Sequence, residues 1–382
     1  VLLSYLFCGS DAYFRFNRSV LIDETDIIGK ETFDVPILCD VDCRVYISVP
    51  KSSLKTTARM LIGYLKNFNM GFNYIATKTD NGEKYYWHVW DPRLPQLTIY
   101  NKNKNLEVAP FLVWVVQVDH ANNVRVFDAN DVNYHILDPK IDVVTVMSTE
   151  PFTLSTITTG KMTMVVTASG FDTILYDGED ECQNVLKLID PSAYPEVDLW
   201  SNGPLLTLSF DRDTQSGIGL GTKVGDASIF SLDTPSFITS PGYISCEAID
   251  LNSARTFRSS LYPTQIEYQF ESNSATNVVL SAEIDVAEDD AVIVENKGSQ
   301  YTWFGTNEKK SQELKPNGLT ISWNRTEMEK EERFLIQIEP VNQGEDSTTS
   351  EPEPAKTTIA EPEPVRTTAA EPEPEKTTVA EP

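Results

Sequence analysis

The stretch Cys43-Arg-Val-Tyr-Ile-Ser-Val-Pro50 alternates between polar and apolar side chains and then stops at a proline. Successive side chains of a β-strand point to opposite faces of the sheet, so this alternation is typical of a strand with one buried face. Its β-branched and aromatic residues favour the same conformation. The stretch therefore predicts a half-buried strand.

Similar stretches recur along the chain, with Gly, Asn, Asp and Pro between them. Many short strands with regular turn signals predict an all-β fold of tandem antiparallel β-sandwiches. The segment from Lys55 to Phe68 is less clear, because its apolar spacing fits an amphipathic helix while Gly63 and two threonines weaken that interpretation; helix and strand both stay open. The other predicted strands are 111–118, 162–167, 205–210, 278–284, 291–294, 319–323 and 334–338.

The C-terminus is a ten-residue repeat that starts at Glu351 and reads EPEPAKTTIA, EPEPVRTTAA, EPEPEKTTVA and a final EP. Frequent proline removes backbone donors and favours an extended polyproline II conformation. Threonine pairs beside proline are typical of O-glycosylated, mucin-like stalks. Residues 342–382 are therefore predicted to be a disordered stalk that carries a globular head.

The chain is strongly acidic, with 57 acids against 31 bases and a formal net charge of −26. From Glu345 onward there are ten acids and three bases, so the tail carries −7 and the body −19 (−26 minus −7). An acidic body repels phosphate backbones, and no basic cluster interleaved with aromatic residues offsets this. Nucleic acid is therefore excluded as a partner.

The chain begins with a short apolar run, VLLSYLFCGS, at residues 1–10. The run is shorter than the roughly 20 residues of a membrane-spanning helix. Small residues at 10 and 12 precede Tyr13 as they do a signal-peptidase site, so residues 1–12 are interpreted as a signal-peptide remnant, with a first strand as the alternative. No other segment is apolar enough to cross a membrane, and a membrane link would need an anchor beyond Pro382.

Five cysteines are present: Cys8, Cys39, Cys43, Cys182 and Cys246. Without Cys8, four remain, which is enough for two disulfides in any of three connectivities. Their spacing is not that of a zinc site, since Cys39 and Cys43 have neither a second pair nor nearby histidines. We expect structural or disulfide-bonded cysteines in an oxidising compartment.

Two N-glycosylation sequons begin at Asn17 and Asn324. Such sequons are used on the surface of secreted proteins. Together with the cysteines and the repeat, they predict an extracellular protein, either secreted or attached to a cell surface.

Several segments resemble strand motifs of CUB domains, which are extracellular β-sandwich modules of jelly-roll type. The stretch 42–50 is similar to one found in the divergent CUB-like proteins of nematodes. The resemblance implies CUB-like domains at 13–140, 141–232 and 233–341. The other matching segments are 171–178, 206–213, 238–243, 319–323 and 334–338.

The cysteine pattern departs from that family, whose domains usually carry two disulfides each. Cys182 and Cys246 stand alone in their units, and a bond between them would join the second and third. A bond between Cys39 and Cys43 would close a very short ring.

The resemblance also implies calcium sites, because many CUB domains hold calcium through one Glu and two Asp. Calcium prefers six to eight oxygen ligands from neighbouring loops. Asp172 and Asp213 match two family positions in the second unit, and Glu283 and Asp290 match two in the third, but each triad lacks one member. Solvated turn acids are the alternative, since Asp is a preferred turn residue.

The sequence offers little for catalysis. None of its histidines, His88, His120 and His135, lies in an HExxH motif, and no GxSxG or Walker loop is present. His88 is interpreted as a strand histidine packed among aromatic residues. The glycine run 217–221 lies among predicted strands, so it is not interpreted as a dinucleotide motif. We therefore expect no enzyme.

The leading hypothesis is an extracellular CUB-like binding protein that recognises protein or carbohydrate, with a role in epithelial innate defence as the family implies. Exposed aromatic rings would make the contacts, and Tyr85, Tyr86, Trp87 and Trp90 form the densest aromatic cluster. A structural coat or matrix glycoprotein, and a protease cofactor or inhibitor, are the alternatives.

Overall fold

The structure is a computed structural model. It describes residues 19–39, 43–64, 68–80, 82–89, 96–117, 124–131, 135–137, 143–160, 162–168, 170, 185–189, 196–212, 217–225, 229–244, 260–275, 277–325 and 332–341. These residues fold into one compact unit of three successive β-sandwiches, which we call the first, second and third sandwich.

The first sandwich pairs two four-stranded sheets and carries a separate two-stranded hairpin. Its strands are β1 (Ser19–Asp23), β2 (Thr32–Leu38), β3 (Cys43–Ser48), β4 (Met60–Tyr64), β5 (Phe68–Gly71), β6 (Thr79–Asp80), β7 (Glu83–Lys84), β8 (Trp87–Val89), β9 (Gln96–Asn101) and β10 (Leu112–Gln117). The sheets have the orders β1-β10-β3-β8 and β2-β9-β4-β5, and β6 pairs with β7. The helices are α1 (Glu24–Ile27), α2 (Leu54–Thr57) and α3 (Phe72–Thr77).

The second and third sandwiches each pair a five-stranded with a four-stranded sheet. The second contains β11 (Val124–Asp128), β12 (His135–Ile136), β13 (Val143–Met147), β14 (Phe152–Thr159), β15 (Met162–Thr167), β16 (Val185–Ile189), β17 (Glu196–Ser201), β18 (Leu205–Arg212) and β19 (Gly217–Val224). The third contains β20 (Ile229–Ser231), β21 (Ser236–Thr239), β22 (Gln265–Glu271), β23 (Asn277–Val286), β24 (Val292–Asn296), β25 (Ser299–Trp303), β26 (Gly305–Leu314), β27 (Leu319–Asn324) and β28 (Arg333–Val341).

All three sandwiches share one topology. When the eight strands that they have in common are numbered along the chain, one sheet has the order 1-8-3-6 and the other 2-7-4-5, which is a jelly roll. The second and third sandwiches add one edge strand in front, β11 and β20, which pair in parallel with β13 and β22. The predicted all-β class of tandem sandwiches is therefore confirmed, with these two parallel pairs as exceptions to an antiparallel pattern.

The ambiguous segment from Lys55 to Phe68 contains only the end of a helix. Helix α2 stops at Thr57, and β4 follows within the sheet between β9 and β5. The apolar side chains Met60 and Ile62 face the first core with the period of two that a strand requires. The helix interpretation is thus confirmed up to Thr57 and the strand interpretation for Met60–Tyr64, where sheet pairing on both sides satisfies the backbone.

Strand pairing also bears on the divisions predicted at residues 140 and 232. β11 and β12 precede residue 141, yet both hydrogen-bond to strands of the second sandwich. β20 precedes residue 233 and pairs within the third sandwich. Pairing partners of short edge strands depend on tertiary contacts, which composition along the chain does not reveal.

Each sandwich has its own apolar core, and a further apolar cluster fills the contact between the first and second sandwiches, which we call the first junction. β3 therefore has both faces covered: Val45 and Ile47 face the first core, whereas Tyr46 faces the junction. The prediction of a half-buried strand at 43–50 is wrong in this respect. The junction cluster consists of Leu21, Tyr46, Leu112, Trp114, Val116, Val124, Val126, Val143, Met147, Leu205, Ile244 and Tyr262.

The contact between the second and third sandwiches, which we call the second junction, is aromatic. Trp200 packs edge-on against Phe230 and Tyr268, with ring centroids 5.8 and 6.4 Å away. The Asn202 Nδ2 donates to the Tyr268 hydroxyl at 2.9 Å, and a side chain at Gly203 would collide with the Tyr243 carbonyl. This junction is closed by rings and neutral hydrogen bonds.

Among the helices that the structure describes, none has the length and apolar character needed to cross a membrane.

Candidate functional site

A hairpin from the first sandwich reaches the second sandwich at the first junction. This junction hairpin, residues 79–84, is built of β6 and β7, and its sequence TDNGEK contains the Asn-Gly pair that favours tight hairpin turns. Gly82 has a φ of +83°, and a Cβ there would lie 3.1 Å from the His135 Nδ1. Glycine is suited to this position because it adopts positive φ freely and leaves room for His135.

Two ion pairs connect the junction hairpin to β11, which contributes Arg125 and Asp128. The Lys84 Nζ lies 2.9 Å from the Asp128 Oδ2, and the two side chains are 0% and 4% exposed. Lys84 also donates to the carbonyl of Ala76. The Arg125 Nε lies 2.9 Å from the Glu83 Oε1, and Arg125 Nη1 donates to Glu83 Oε2 at 3.3 Å. A buried charge needs a partner of opposite charge, so the buried pair favours one position of the hairpin on the second sandwich.

A polar crevice with a volume of about 130 Å³ opens beside these ion pairs. We call it the arginine crevice, because two guanidinium groups line it on opposite sandwiches. Its lining residues are Arg44, Tyr46, Glu83, Lys84, Tyr86, Val124, Arg125 and Val126.

Arg44 and Tyr46 occupy alternate positions of β3 and therefore share the face that looks toward the second sandwich. The Arg44 guanidinium lies over the ring of Tyr86, 4.5 Å from its centroid. Tyr46 stacks on Trp114 at 5.2 Å between centroids. Burial raises the pKa of Tyr46 to about 12, although neighbouring Arg44 acts in the opposite direction. Tyr46 thus stays a neutral hydroxyl at physiological pH.

Among the described residues that line the crevice, Glu83 is the carboxyl group. Burial raises the pKa of Glu83 above its usual value, and the opposing attraction of Arg125 does not fully offset this. His88 lies directly across from Arg44 in the β3–β8 pair, on the exposed side of β8. The crevice therefore offers N–H and O–H donors to a small accepting group, with one carboxylate as an internal competitor.

The rings of the predicted aromatic cluster have different surroundings: two pack against the first core, and one lines the crevice. Tyr85 lies under the Lys78 ammonium at 4.0 Å and packs edge-on against Tyr74. Trp87 packs edge-on against Tyr64 at 6.1 Å. Both rings are half-buried against the first core, whereas Tyr86 lines the crevice. Trp90 lies outside the described residues.

The predicted calcium ligands are not gathered in the part of the chain that can be described. Glu283 lies on β23 with an exposed side chain 3.5 Å from the Lys309 Nζ, and Asp290 is buried in a 3-10 turn. Among the described residues, no group of three or more His, Cys, Asp and Glu side chains is arranged to hold a metal ion. Asp172 and Asp213 lie outside these residues.

The Cys39–Cys43 disulfide is present, with a Cα–Cα distance of 5.6 Å, and joins the end of β2 to the start of β3. Asn324 is exposed at the end of β27, where a glycan could be attached. Asn17, Cys8, Cys182, Cys246, the proposed signal-peptide remnant 1–12 and the repeat 342–382 lie outside the described residues.

The sequence-based reasoning missed the crevice residues Arg44, Glu83, Lys84 and Arg125. Arg44 stands at a polar position of an alternating strand, which is ordinarily solvent-exposed. The turn sequence TDNGEK was the available signal, because charges that flank a tight Asn-Gly turn indicate a projecting hairpin. His88 lies in a strand as expected but on its exposed side, and the glycine run 217–221 forms part of β19.

No protein-family model matches the chain, and no curated protein matches it. The solved structures that are similar to it at low identity include three from different kinds of protein. The CUB1-EGF-CUB2 domains of rat MASP-1 share 12% identity over 56% of this chain and 99% of that chain, with a TM-score of 0.23. The mosquito-larvicidal Cry4Aa toxin from Bacillus thuringiensis shares 9% over 86% and 58%, with a TM-score of 0.18. The lipid-containing bacteriophage PM2 shares 9% over 86% and 89%, with a TM-score of 0.13. TM-scores this low carry no functional argument, and the resemblance to CUB domains stays a prediction.

Proposed function

We propose that the chain is an extracellular binding protein that recognises a protein or carbohydrate partner through the arginine crevice. The observation that carries the proposal is the crevice itself, a concave polar site between two rigid sandwiches. Binding sites are commonly concave, lie between domains and contain a few convergent polar groups. The buried Lys84–Asp128 pair fixes the two walls relative to each other, so the site exists before any ligand arrives.

Three features support an extracellular location. The Cys39–Cys43 disulfide is of the kind that persists in oxidising compartments. The exposed Asn324 is sterically accessible for glycosylation. The EPEP repeat has the composition of a glycosylated stalk. The sequence resemblance to CUB domains is the reason for naming protein or carbohydrate as the partner class.

We propose binding without catalysis. Among the residues that the structure describes, those lining the crevice include no Ser, Cys or His that could act as a nucleophile or as an imidazole base, and the histidines of the sequence lie in no catalytic motif. Its carboxyl group, Glu83, is engaged by Arg125.

The test is a screen of the full chain, and of the chain shortened to end at Gln343, on glycan and protein arrays with and without a calcium chelator. We expect saturable binding to at least one ligand, retained without the tail. Arg44→Gln should weaken it by about tenfold or more, whereas Arg59→Gln at an exposed position of the same sandwich should not. Binding that survives chelation would remove calcium from the mechanism.

Two results would contradict the proposal. One is the absence of saturable binding on both arrays for a folded protein. The other is binding that disappears when the tail is removed, which would favour the structural coat or matrix role.

A further inference from the structure

We propose that the arginine crevice is a carboxylate-binding site, in which Arg44 and Arg125 together hold one carboxylate of the ligand. This inference rests on the binding function proposed above and specifies the chemistry that the site selects.

Among the described residues that line the crevice, cations outnumber carboxylates. Lys84 pairs with Asp128 and Arg125 pairs with Glu83. In the part of the chain that the structure describes, no carboxylate forms an ion pair with Arg44. Arg44 is only half-exposed, so its guanidinium has lost hydration and gained a tyrosine face in exchange. Arg44 also donates a hydrogen bond to the Tyr46 hydroxyl, and an anion that enters the crevice would add charge-assisted hydrogen bonds to the guanidinium.

The size and donor geometry of the crevice fit a small planar anion. The crevice, about 130 Å³ in volume, is larger than the roughly 10–15 Å³ that one water molecule requires, so it admits a carboxylate group. The guanidinium fork matches a carboxylate in two parallel hydrogen bonds. The Tyr46 hydroxyl, beside Arg44 and neutral at physiological pH, adds a further donor. The rest of the ligand would lie outside, across Tyr86 and His88.

Glu83 is the internal competitor for the same donors. Its two carboxylate oxygens contact Arg125 at 2.9 and 3.3 Å, and these are the contacts that a ligand carboxylate would share or replace. Burial makes ionised Glu83 a costly occupant, as the raised pKa of this side chain indicates. Removing the charge of Glu83 should therefore free the Arg125 fork and strengthen ligand binding.

The overall charge of the chain acts against anions at a distance. With a formal net charge of −26, the protein repels an approaching carboxylate, so affinity must come from direct contacts inside the crevice. Added salt screens this long-range repulsion more than the short contacts of a partly buried pair. Binding should accordingly weaken little between low and physiological salt.

The carboxylate can come from an acidic sugar or from an acidic peptide group, and one experiment separates the two sources. The full chain is titrated calorimetrically at pH 7 with glucuronate and with N-acetylglycine, each against its uncharged amide. We expect one site for a carboxylate probe and no binding of its amide. The probe that binds at least about tenfold more tightly identifies the source.

Single-residue variants test whether the carboxylate probe binds in the crevice. Arg44→Gln should weaken carboxylate binding by about tenfold or more, the usual loss for a charge-assisted hydrogen bond, while Arg59→Gln leaves it unchanged. Glu83→Gln should strengthen it several-fold. Thermal unfolding of each variant checks its integrity, and Glu83→Gln decides the matter if Arg44→Gln does not fold.

Three outcomes would overturn the inference: amides that bind as well as carboxylates, no binding of either carboxylate at millimolar concentration, or no effect of Glu83→Gln. If array ligands still bind in an Arg44-dependent manner while carboxylates do not, the carboxylate inference fails and the proposed binding function stands. If the chain binds no array ligand but still binds the carboxylate probes, the proposed binding function fails and the carboxylate inference stands.

Discussion

The first and second junctions each join two neighbouring sandwiches, but they do so with different kinds of side chain. The first joins its sandwiches through an apolar cluster together with charges, including the buried Lys84–Asp128 pair, and leaves the arginine crevice open beside them. The second joins its sandwiches through Trp200, Phe230 and Tyr268, with neutral hydrogen bonds from Asn202. Buried charges must be paired at defined distances, and their N–H donors can also serve a ligand. Aromatic rings instead interdigitate and leave no open space between the sandwiches.

This difference explains why only the first junction is proposed as a binding site. At the second junction, Gly203 approaches the Tyr243 carbonyl so closely that no side chain fits, and Trp200, Asn202 and Tyr268 are all buried. At the first junction, Arg44 stays half-exposed over Tyr86. Both junctions are packed, but recognition requires accessible polar groups.

The largest expected effect is on the first junction. Lys84→Met leaves Asp128 as a buried charge without its ammonium partner, and breaking a buried pair costs about 3–5 kcal/mol of unfolding free energy. Chemical denaturation followed by tryptophan fluorescence measures this loss.

The matched control is Lys309→Met, in which the exposed lysine paired with Glu283 is removed and about 0–1 kcal/mol is expected. The double variant Lys84→Met with Asp128→Asn should recover much of the loss, because it removes the orphaned charge and keeps an acceptor for the Asn130 N–H. Equal destabilisation by Lys84→Met and Lys309→Met would show that the charged pair does not hold the first junction.

A smaller effect is expected at the second junction. Tyr268→Phe removes the acceptor of Asn202 Nδ2 and of Trp200 Nε1, and an unsatisfied buried donor costs about 1–3 kcal/mol. Tyr301→Phe, at the half-buried edge strand of the third sandwich, is the control for loss of a hydroxyl.

The same variant also distinguishes the two junctions in a binding measurement. Tyr268→Phe should leave carboxylate binding unchanged, because the crevice lies at the other junction. Altered calorimetric titration of Tyr268→Phe would mean that the two junctions are coupled.

The smallest expected effect is a difference in pH dependence. Because the folded pKa of Glu83 is raised, the folded state binds this proton more readily, and the contribution of Glu83 to stability falls as pH rises from about 4.3, the unfolded value, through its folded pKa. Glu83→Gln mimics the protonated side chain and removes this loss. We therefore expect its Tm to gain on that of the wild type as the pH rises above about 4.3.

Tyr268→Phe serves as the reference for that measurement, since it changes no carboxyl group. Its Tm should run parallel to the wild-type curve across the same pH range. A Glu83→Gln curve that is also parallel would contradict the assigned effect of burial on Glu83.

Much of the fold could be predicted from local pattern, but the site could not. The stretches at 43–50, 162–167 and 319–323 became β3, β15 and β27, because alternation and β-branched residues specify strands locally. Arg44, Glu83 and Arg125 come from three separate segments, and nothing local indicates that they meet. The exposed face assumed for β3 was wrong because another sandwich covers it.

The sequence by itself determined that the protein is all-β, is acidic and ends in a Pro-Glu-Thr repeat, since strand periodicity, net charge and proline content are properties of local composition. The tertiary structure decided which strand faces are buried twice, which strands pair in parallel and where two arginines share a crevice. Those features depend on contacts between residues far apart in the chain, whose energies arise only once the sandwiches have packed together.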